Sequence, residues 1–216
     1  MDNRLKKQLD FIIEVDKLKN IFRQSYIADG TRRENDAEHS WHLGLMAAVL
    51  SEYIKEDINM NKVLKMVLVH DLVEIYAGDT FAFDEAGYED KEEREVKAAK
   101  DLFGRLPEEQ GEEFMALWWE FEKCETLEAK YGAMMDRLQP LILDYATEGK
   151  GVIESNLTRE QLLKRNEITL NEGPKELKEL VHFLIGEIFN NIKKNKKEMI
   201  GQNITVTKDK EIIIIT

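Results

Sequence analysis

The chain has 216 residues, of which 43% are hydrophobic and 34% charged, with one cysteine and a formal net charge of −12. That length can bury a core unaided, a lone cysteine excludes an intrachain disulfide framework, and the composition fits a helix-rich globular protein in a reducing, cytoplasmic setting. The acidic balance argues against a nucleic-acid polymer as partner, yet a pocket carrying a cation and an arginine or two can still take a small anion. No apolar run approaches bilayer length and no basic, apolar leader opens the chain, so no membrane association is expected.

Apolar residues at helical spacing dominate the chain. Leu5, Leu9, Ile12 and Ile13, continued by Leu18, Ile21 and Phe22, predict a first helix. Residues 36 to 54 predict a second, and residues 60 to 76 a third that is apolar on several faces and therefore buried. Gly78 terminates the third, as glycine does just past a helix. The stretch from Asp79 to Lys91 breaks the pattern and reads as a loop. Helices follow over 88 to 103, over 107 to 123 behind Pro107, and over roughly 126 to 148, where Pro140 is placed to kink the chain. Thr158-Arg-Glu-Gln161 has the form of a capping box that opens another helix. Gly173-Pro174 separates it from an amphipathic helix running to about 194. The tail, about 203 to 216, alternates as Ile204-Thr-Val-Thr207 and Glu211-Ile-Ile-Ile-Ile-Thr216, which predicts a two-stranded hairpin able to pair with a second chain. With no repeat and no low-complexity linker, one all-α domain over 1–216 is expected, its core at about 5–190.

Chemistry concentrates in two stretches. His70-Asp71 lies late in the buried third helix, where a charged pair is costly unless compensated. Glu74 falls four residues after His70 and three after Asp71, on the same side, and Asp79 follows just past Gly78. By itself this cluster reads more readily as a structural ion pair than as a site. The other stretch is Arg32-Arg-Glu-Asn-Asp-Ala-Glu-His39-Ser-Trp-His42. His42, three residues beyond His39, reads as a packed or substrate-side residue, and His182, on a late helix without acidic or histidine company, as structural. Trp118, Trp119, Met134 and Met135, at core-like positions, read as packing.

Glu38-His39-Ser40, then His70-Asp71, then Asp136 in Met135-Asp136-Arg137-Leu138 resembles the signature of the HD-domain superfamily of metal-dependent phosphohydrolases. The finer pattern, Ala37-Glu38-His39-Ser40, His70-Asp71-Leu-Val-Glu74 and Gly78-Asp79, is similar to the branch of 5'-deoxynucleotidases. The resemblance implies an all-α helical bundle in which His39, His70, Asp71 and Asp136 bind a divalent cation. It also implies removal of phosphate from nucleoside 5'-monophosphates, deoxyribonucleotides above all, by a homodimer. Two neutral imidazoles and two carboxylates make a site of charge −2 that suits Mn, Co, Fe, Ni or Zn, with Mg possible. The absence of histidine from residues 80 to 130 favours one metal over several. Glu74 is the first candidate for general acid or base, with a supporting role toward a ligand imidazole as its alternative. Asp79 is the second candidate, or a contact to the sugar. The phosphate needs a guanidinium clamp, for which Arg23, Arg32 and Arg33 are candidates. The branch carries a tryptophan where this chain has Tyr26. Another HD nucleotide hydrolase, a triphosphohydrolase or phosphodiesterase, and a non-catalytic nucleotide or metal sensor are the competing expectations.

Overall fold

The structure is a computed structural model that describes residues 2–208 apart from 85, with side chains described to residue 195. It is a helical assembly with one small sheet among the described residues. Helix α1 spans Asn3–Val15 and tightens into a 3-10 turn over Asp16–Asn20. Strand β1, Phe22–Tyr26, then pairs antiparallel with β2, Arg33–Asn35, with Phe22 opposite Asn35 and Tyr26 opposite Arg33. The first helix expected through Phe22 therefore ends early. Phe22 is taken by strand pairing and the Ile21 carbonyl accepts from the Asp36 N–H at 3.1 Å, non-local interactions that helical spacing cannot register.

Asn35 closes β2 and caps α2, Asp36–Leu50. Its side chain accepts from the Glu38 backbone N–H at 3.0 Å, while the Glu38 carboxylate accepts from the Asn35 N–H at 3.3 Å. This reciprocal cap fixes where the helix starts, and hence puts His39 in its first turn. Leu43, Met46 and Ala47 are buried along one face of α2. Each large side chain so buried contributes roughly 1.5–3 kcal/mol relative to exposure.

The expected third helix is three pieces: α3, Met60–Val69, a 3-10 turn over His70–Val73, and α4, Glu74–Ala77. The His-Asp motif thus sits in a tightened turn, not in regular α-helix, as happens where a helix carries function under local strain. Gly78, at φ +79°, then turns the chain so that Asp79 comes back toward the same cavity. Helices α5, Lys91–Phe103, and α6, Glu108–Lys123, pack against this turn. Helix α7, Leu127–Ala146, runs through the centre and touches α2, α3, α6 and α11. Short helices α8, Lys150–Glu154, α9, Arg159–Arg165, and α10, Glu167–Glu172, lead to α11, Lys175–Lys208. The capping box at Thr158 and Gln161 is present.

One apolar cluster joins α2, α3, α7 and α11 through Leu43, Val67, Met135, Leu138, Ile185 and Ile188. A second joins α1, the His-Asp turn, α5 and α6 through Phe11, Leu72, Phe103 and Trp118. The motif turn lies between them. Trp118 is buried within the second cluster and Trp119 packs against it; Met134 and Met135 lie in the first. Helix continues through Lys208, so the first strand expected in the tail, 204 to 207, falls inside α11. The second strand of that expected hairpin lies outside the described residues. No described helix is long and apolar enough to cross a membrane.

Candidate metal centre

Three elements converge on one point. The ligand atoms of His39 (α2), His70 (the 3-10 turn) and Asp136 (α7) all lie within 4.8 Å of one another. His39 Nε2 is 3.1 Å from Asp136 Oδ1 and 3.7 Å from Asp71 Oδ2. His70 Nε2 is 3.1 Å from Asp71 Oδ2 and 3.9 Å from Asp136 Oδ1. Pro140 lies one helical turn after Asp136 and lacks the N–H that the Asp136 carbonyl would otherwise accept, so α7 is irregular where it carries the carboxylate.

The two imidazoles are oriented alike. His39 Nδ1 faces Gln139 Oε1 at 3.1 Å, and His70 Nδ1 faces the Val67 carbonyl at 3.0 Å. Both partners are acceptors, so both Nδ1 atoms carry the proton and both Nε2 lone pairs point at the carboxylates. His70 Nε2 is buried and has no hydrogen-bond partner. Lone pairs of two imidazoles aimed at carboxylate oxygens in a buried site repel unless a cation lies among them. The donor set therefore fits a divalent metal ion, and the buried, unpartnered His70 Nε2 is the observation that says so.

Without a cation, the carboxylates draw positive charge onto the imidazole nearest them, where a metal ion would take the place of the proton. Burial pushes His70 down, but Asp71 beside it more than reverses this and raises it to about 9; in His39, burial and then Arg23 win, and it falls to about 4. Burial would raise Asp136, but His39, whose Nε2 lies 3.1 Å from its Oδ1, and the charge of Arg165 hold it well below the usual carboxylate range.

A cavity of about 200 Å³ opens from this point. Arg23, from β1, lines it, and its Nη1 donates to Asp71 Oδ2 at 2.8 Å and Asp36 Oδ1 at 3.1 Å. Its Nε is buried without a partner. Glu74 is buried, with Oε2 unpartnered, and burial together with Asp71 and Asp36 drives its carboxyl well above the usual range. Asp79 lines the cavity and is raised by burial against the opposing pull of Arg23. Asp36, Asp71 and Glu74 form a further group whose ligand atoms lie within 4.8 Å of one another.

Arg32 and Arg33 stand elsewhere. Arg32 is held by both oxygens of Glu38 at 2.6 and 2.8 Å, and Arg33 by Glu154 at 2.8 Å and by the face of Tyr26 at 4.1 Å. Neither lines the cavity. Of the three expected clamps the structure brings only Arg23 to the cavity, while Arg32 and Arg33 pair with carboxylates outside it. Tyr26 points to the same Glu154, its hydroxyl 3.0 Å from each carboxylate oxygen. His42 accepts from Gln139 at 3.2 Å, and His182 is exposed.

Several site residues were missed. Arg165 reaches Asp136 Oδ2 at 3.4 Å from α9. Asp36 and Glu34 are buried beside the centre, as is Gln139. Phe81, Phe83 and Tyr88 line the outer side of the cavity. The Glu34-x-Asp36 pair flanking the helix cap Asn35 was the one signal available, and it is faint in a chain so rich in acids.

A family model described as HD domain matches residues 15–178. The human 5'-deoxynucleotidase HDDC2 is 31% identical over 62% of this chain and 65% of its own length, just under two thirds. The Dictyostelium discoideum 5'-deoxynucleotidase HDDC2 is 32% identical over 65% of this chain and 77% of its own. A crystal structure titled as a predicted metal-dependent phosphohydrolase from Magnetospirillum magnetotacticum superposes with a TM-score of 0.80 at 47% identity, covering 87% of this chain and 94% of that one.

Proposed function

Because this chain belongs to the HD-domain family, we propose that it is a metal-dependent phosphomonoesterase acting on nucleoside 5'-monophosphates, deoxyribonucleotides foremost. One observation carries the reading: the unpartnered Nε2 of buried His70, with Asp71, Asp136, Arg23 and Glu74, lines one cavity, and His39 Nε2 lies 3.1 Å from Asp136 behind it. The names of the human and Dictyostelium relatives support the substrate class.

His39, His70, Asp71 and Asp136 would hold the ion, and their mixed N/O set favours Mn, Co, Fe, Ni or Zn, with Mg accepted. A bound divalent ion supplies neutralisation of phosphoryl charge and acidifies water. Arg23 binds the phosphate: Nη1 is spent on Asp36 and Asp71, which fixes the guanidinium plane, and the unpartnered Nε–H remains to donate. Burial beside Asp71 and Asp36 favours the protonated form of Glu74, which gives its proton to the departing 5'-oxygen of the nucleoside and can then take one from water. Asp79, at the start of the loop, accepts from the sugar. A homodimer is the proposed assembly, supported by the exposed stripe Trp41, Leu45 and Val49 on α2, which a second copy would cover.

The test is a phosphate-release screen of mono-, di-, tri- and cyclic nucleotides with Mn, Co and Mg, run beside Asp71→Ala. Release from deoxynucleoside monophosphates that vanishes in the variant is expected. Release from triphosphates alone sinks the reading, and tight metal binding without turnover points to a sensor.

A further inference from the structure

Glu34 poses a problem that the proposed reaction leaves unsolved. It is 2% exposed, on β2, and its Oε2 is buried without a partner. A buried carboxylate that touches neither cavity nor cation is costly, and nothing in the fold of β2 requires one. Its other oxygen answers the problem. Glu34 Oε1 accepts from Gln139 Nε2 at 2.6 Å, and the same Nε2 faces His42 Nδ1 at 3.2 Å. Gln139, fully buried on α7, has its Oε1 on His39 Nδ1 at 3.1 Å.

We propose that Glu34 and Gln139 are positioning residues that set the tautomer of His39 and so keep its Nε2 lone pair free for the metal. The chain of constraint runs through hydrogen-bond chemistry alone. An amide can turn either of its two faces to a neighbour, but Glu34 Oε1, 2.6 Å from Gln139 Nε2, accepts, while Oε2 lies on the His39 side, 3.7 Å from Nδ1. Glu34 therefore fixes the NH2 side of Gln139 toward itself. That places the amide oxygen on His39 Nδ1, which must then carry the hydrogen. Both amide hydrogens are used, one on Glu34 and one on His42. Turning the amide over would set its oxygen against two acceptors and its NH2 against a donor, losing three hydrogen bonds in a buried site. The reversed His39 tautomer would aim an N–H at the metal position, where no cation could accept it. The location agrees: Glu34 lies at the end of β2, immediately before the α2 cap, and Gln139 is three residues after Asp136 on α7, so the lock is held by the segments that deliver His39 and Asp136.

This inference rests on the metal-site reading but not on the substrate, and both of its measurements dispense with nucleotide. Metal-free protein labelled with 15N in histidine is examined by long-range 1H–15N correlation, which distinguishes a protonated Nδ1 from a protonated Nε2. The wild type is expected to show His39 as the Nδ1–H form. Gln139→Met and Glu34→Met are expected to show a mixture or the Nε2–H form, and the Mn2+ dissociation constant followed by electron paramagnetic resonance should rise ~10–100-fold, the range for partners of metal-bound histidine. Glu34→Gln keeps the volume and an accepting oxygen but no longer enforces the amide's orientation, so it should fold like wild type and lose less than Glu34→Met. A merely structural role would lower the melting temperature and leave the tautomer unmoved, which overturns the proposal. So does an Nε2–H His39 in the wild type, a readout that stands even if the methionine variants fail to fold.

Discussion

The cavity has two walls made in different ways. The inner wall is helical: His39, the His-Asp turn and Asp136 project from α2, the end of α3 and α7, which interlock through Leu43, Val67 and Leu138. The outer wall is the connection from Gly78 to Asp90, with Phe81, Phe83 and Tyr88 facing inward. Its described residues have little regular structure, and one arginine ties it at several points. Arg94, on α5, donates to the Ala77 carbonyl at 2.6 Å, to the Gly87 carbonyl at 3.1 Å and to Thr80 Oγ1 at 3.3 Å. Ligand positions that must hold within fractions of an ångström sit on packed helices, and contacts to a variable part of the substrate sit on a loop tied at a few points.

That contrast predicts damage of different kinds. Asp71→Ala strikes the inner wall at the ion and leaves Arg23 short of a partner. Phosphate release should fall by at least roughly 10³-fold, the several kcal/mol that metal and clamp supply together, with Mn2+ binding lost by calorimetry. Glu74→Gln should cost about 10²–10⁴-fold in kcat with the metal retained, the range for a general acid or base. Metal lost with the rate would instead put Glu74 among the ligands, beside Asp36 and Asp71.

Leu138→Ala and Arg94→Met separate the walls directly. The first empties a fully buried site, and should cost ~2–5 kcal/mol in denaturant unfolding. The second removes four hydrogen bonds, the three above and one to Asp90 Oδ1 at 2.8 Å, worth about 1 kcal/mol each at most in a partly wet loop, so KM should rise several-fold while kcat and metal affinity barely change. Equal effects on kcat from both would show that the outer wall, too, places reacting groups.

The smallest effect is a pH effect at the far end of the inner wall. Asp144, two turns beyond Asp136 on α7, is pushed from 3.8 up to about 6 by burial, against backbone hydrogen bonds from Val152 and Gly151. A carboxyl raised in the folded state holds its proton longer there than in the unfolded chain. Stability should thus fall as pH rises from about 4 to 6, with the full penalty above that window. Asp144→Asn should raise stability near pH 7.5 by on the order of 1–3 kcal/mol and leave it unchanged near pH 4, as thermal unfolding at both pH values would show.

By itself the sequence determined the helices, because their stability comes from apolar spacing that is local and periodic. It also marked His39, His70, Asp71, Asp136, Glu74 and Asp79, because a motif keeps its order along the chain whatever the fold. The tertiary structure decided what depends on encounters between distant residues. Strand pairing ended the first helix at Val15 and carried Arg23 onto Asp36 and Asp71, while Glu38 and Glu154 drew Arg32 and Arg33 away. The same holds for Arg165 on Asp136 and for Glu34 on Gln139, 105 residues apart. A salt bridge or a buried hydrogen bond leaves no periodicity behind, since either partner can come from anywhere in the chain; only the folded backbone says which acid an arginine meets, and which way an amide must turn.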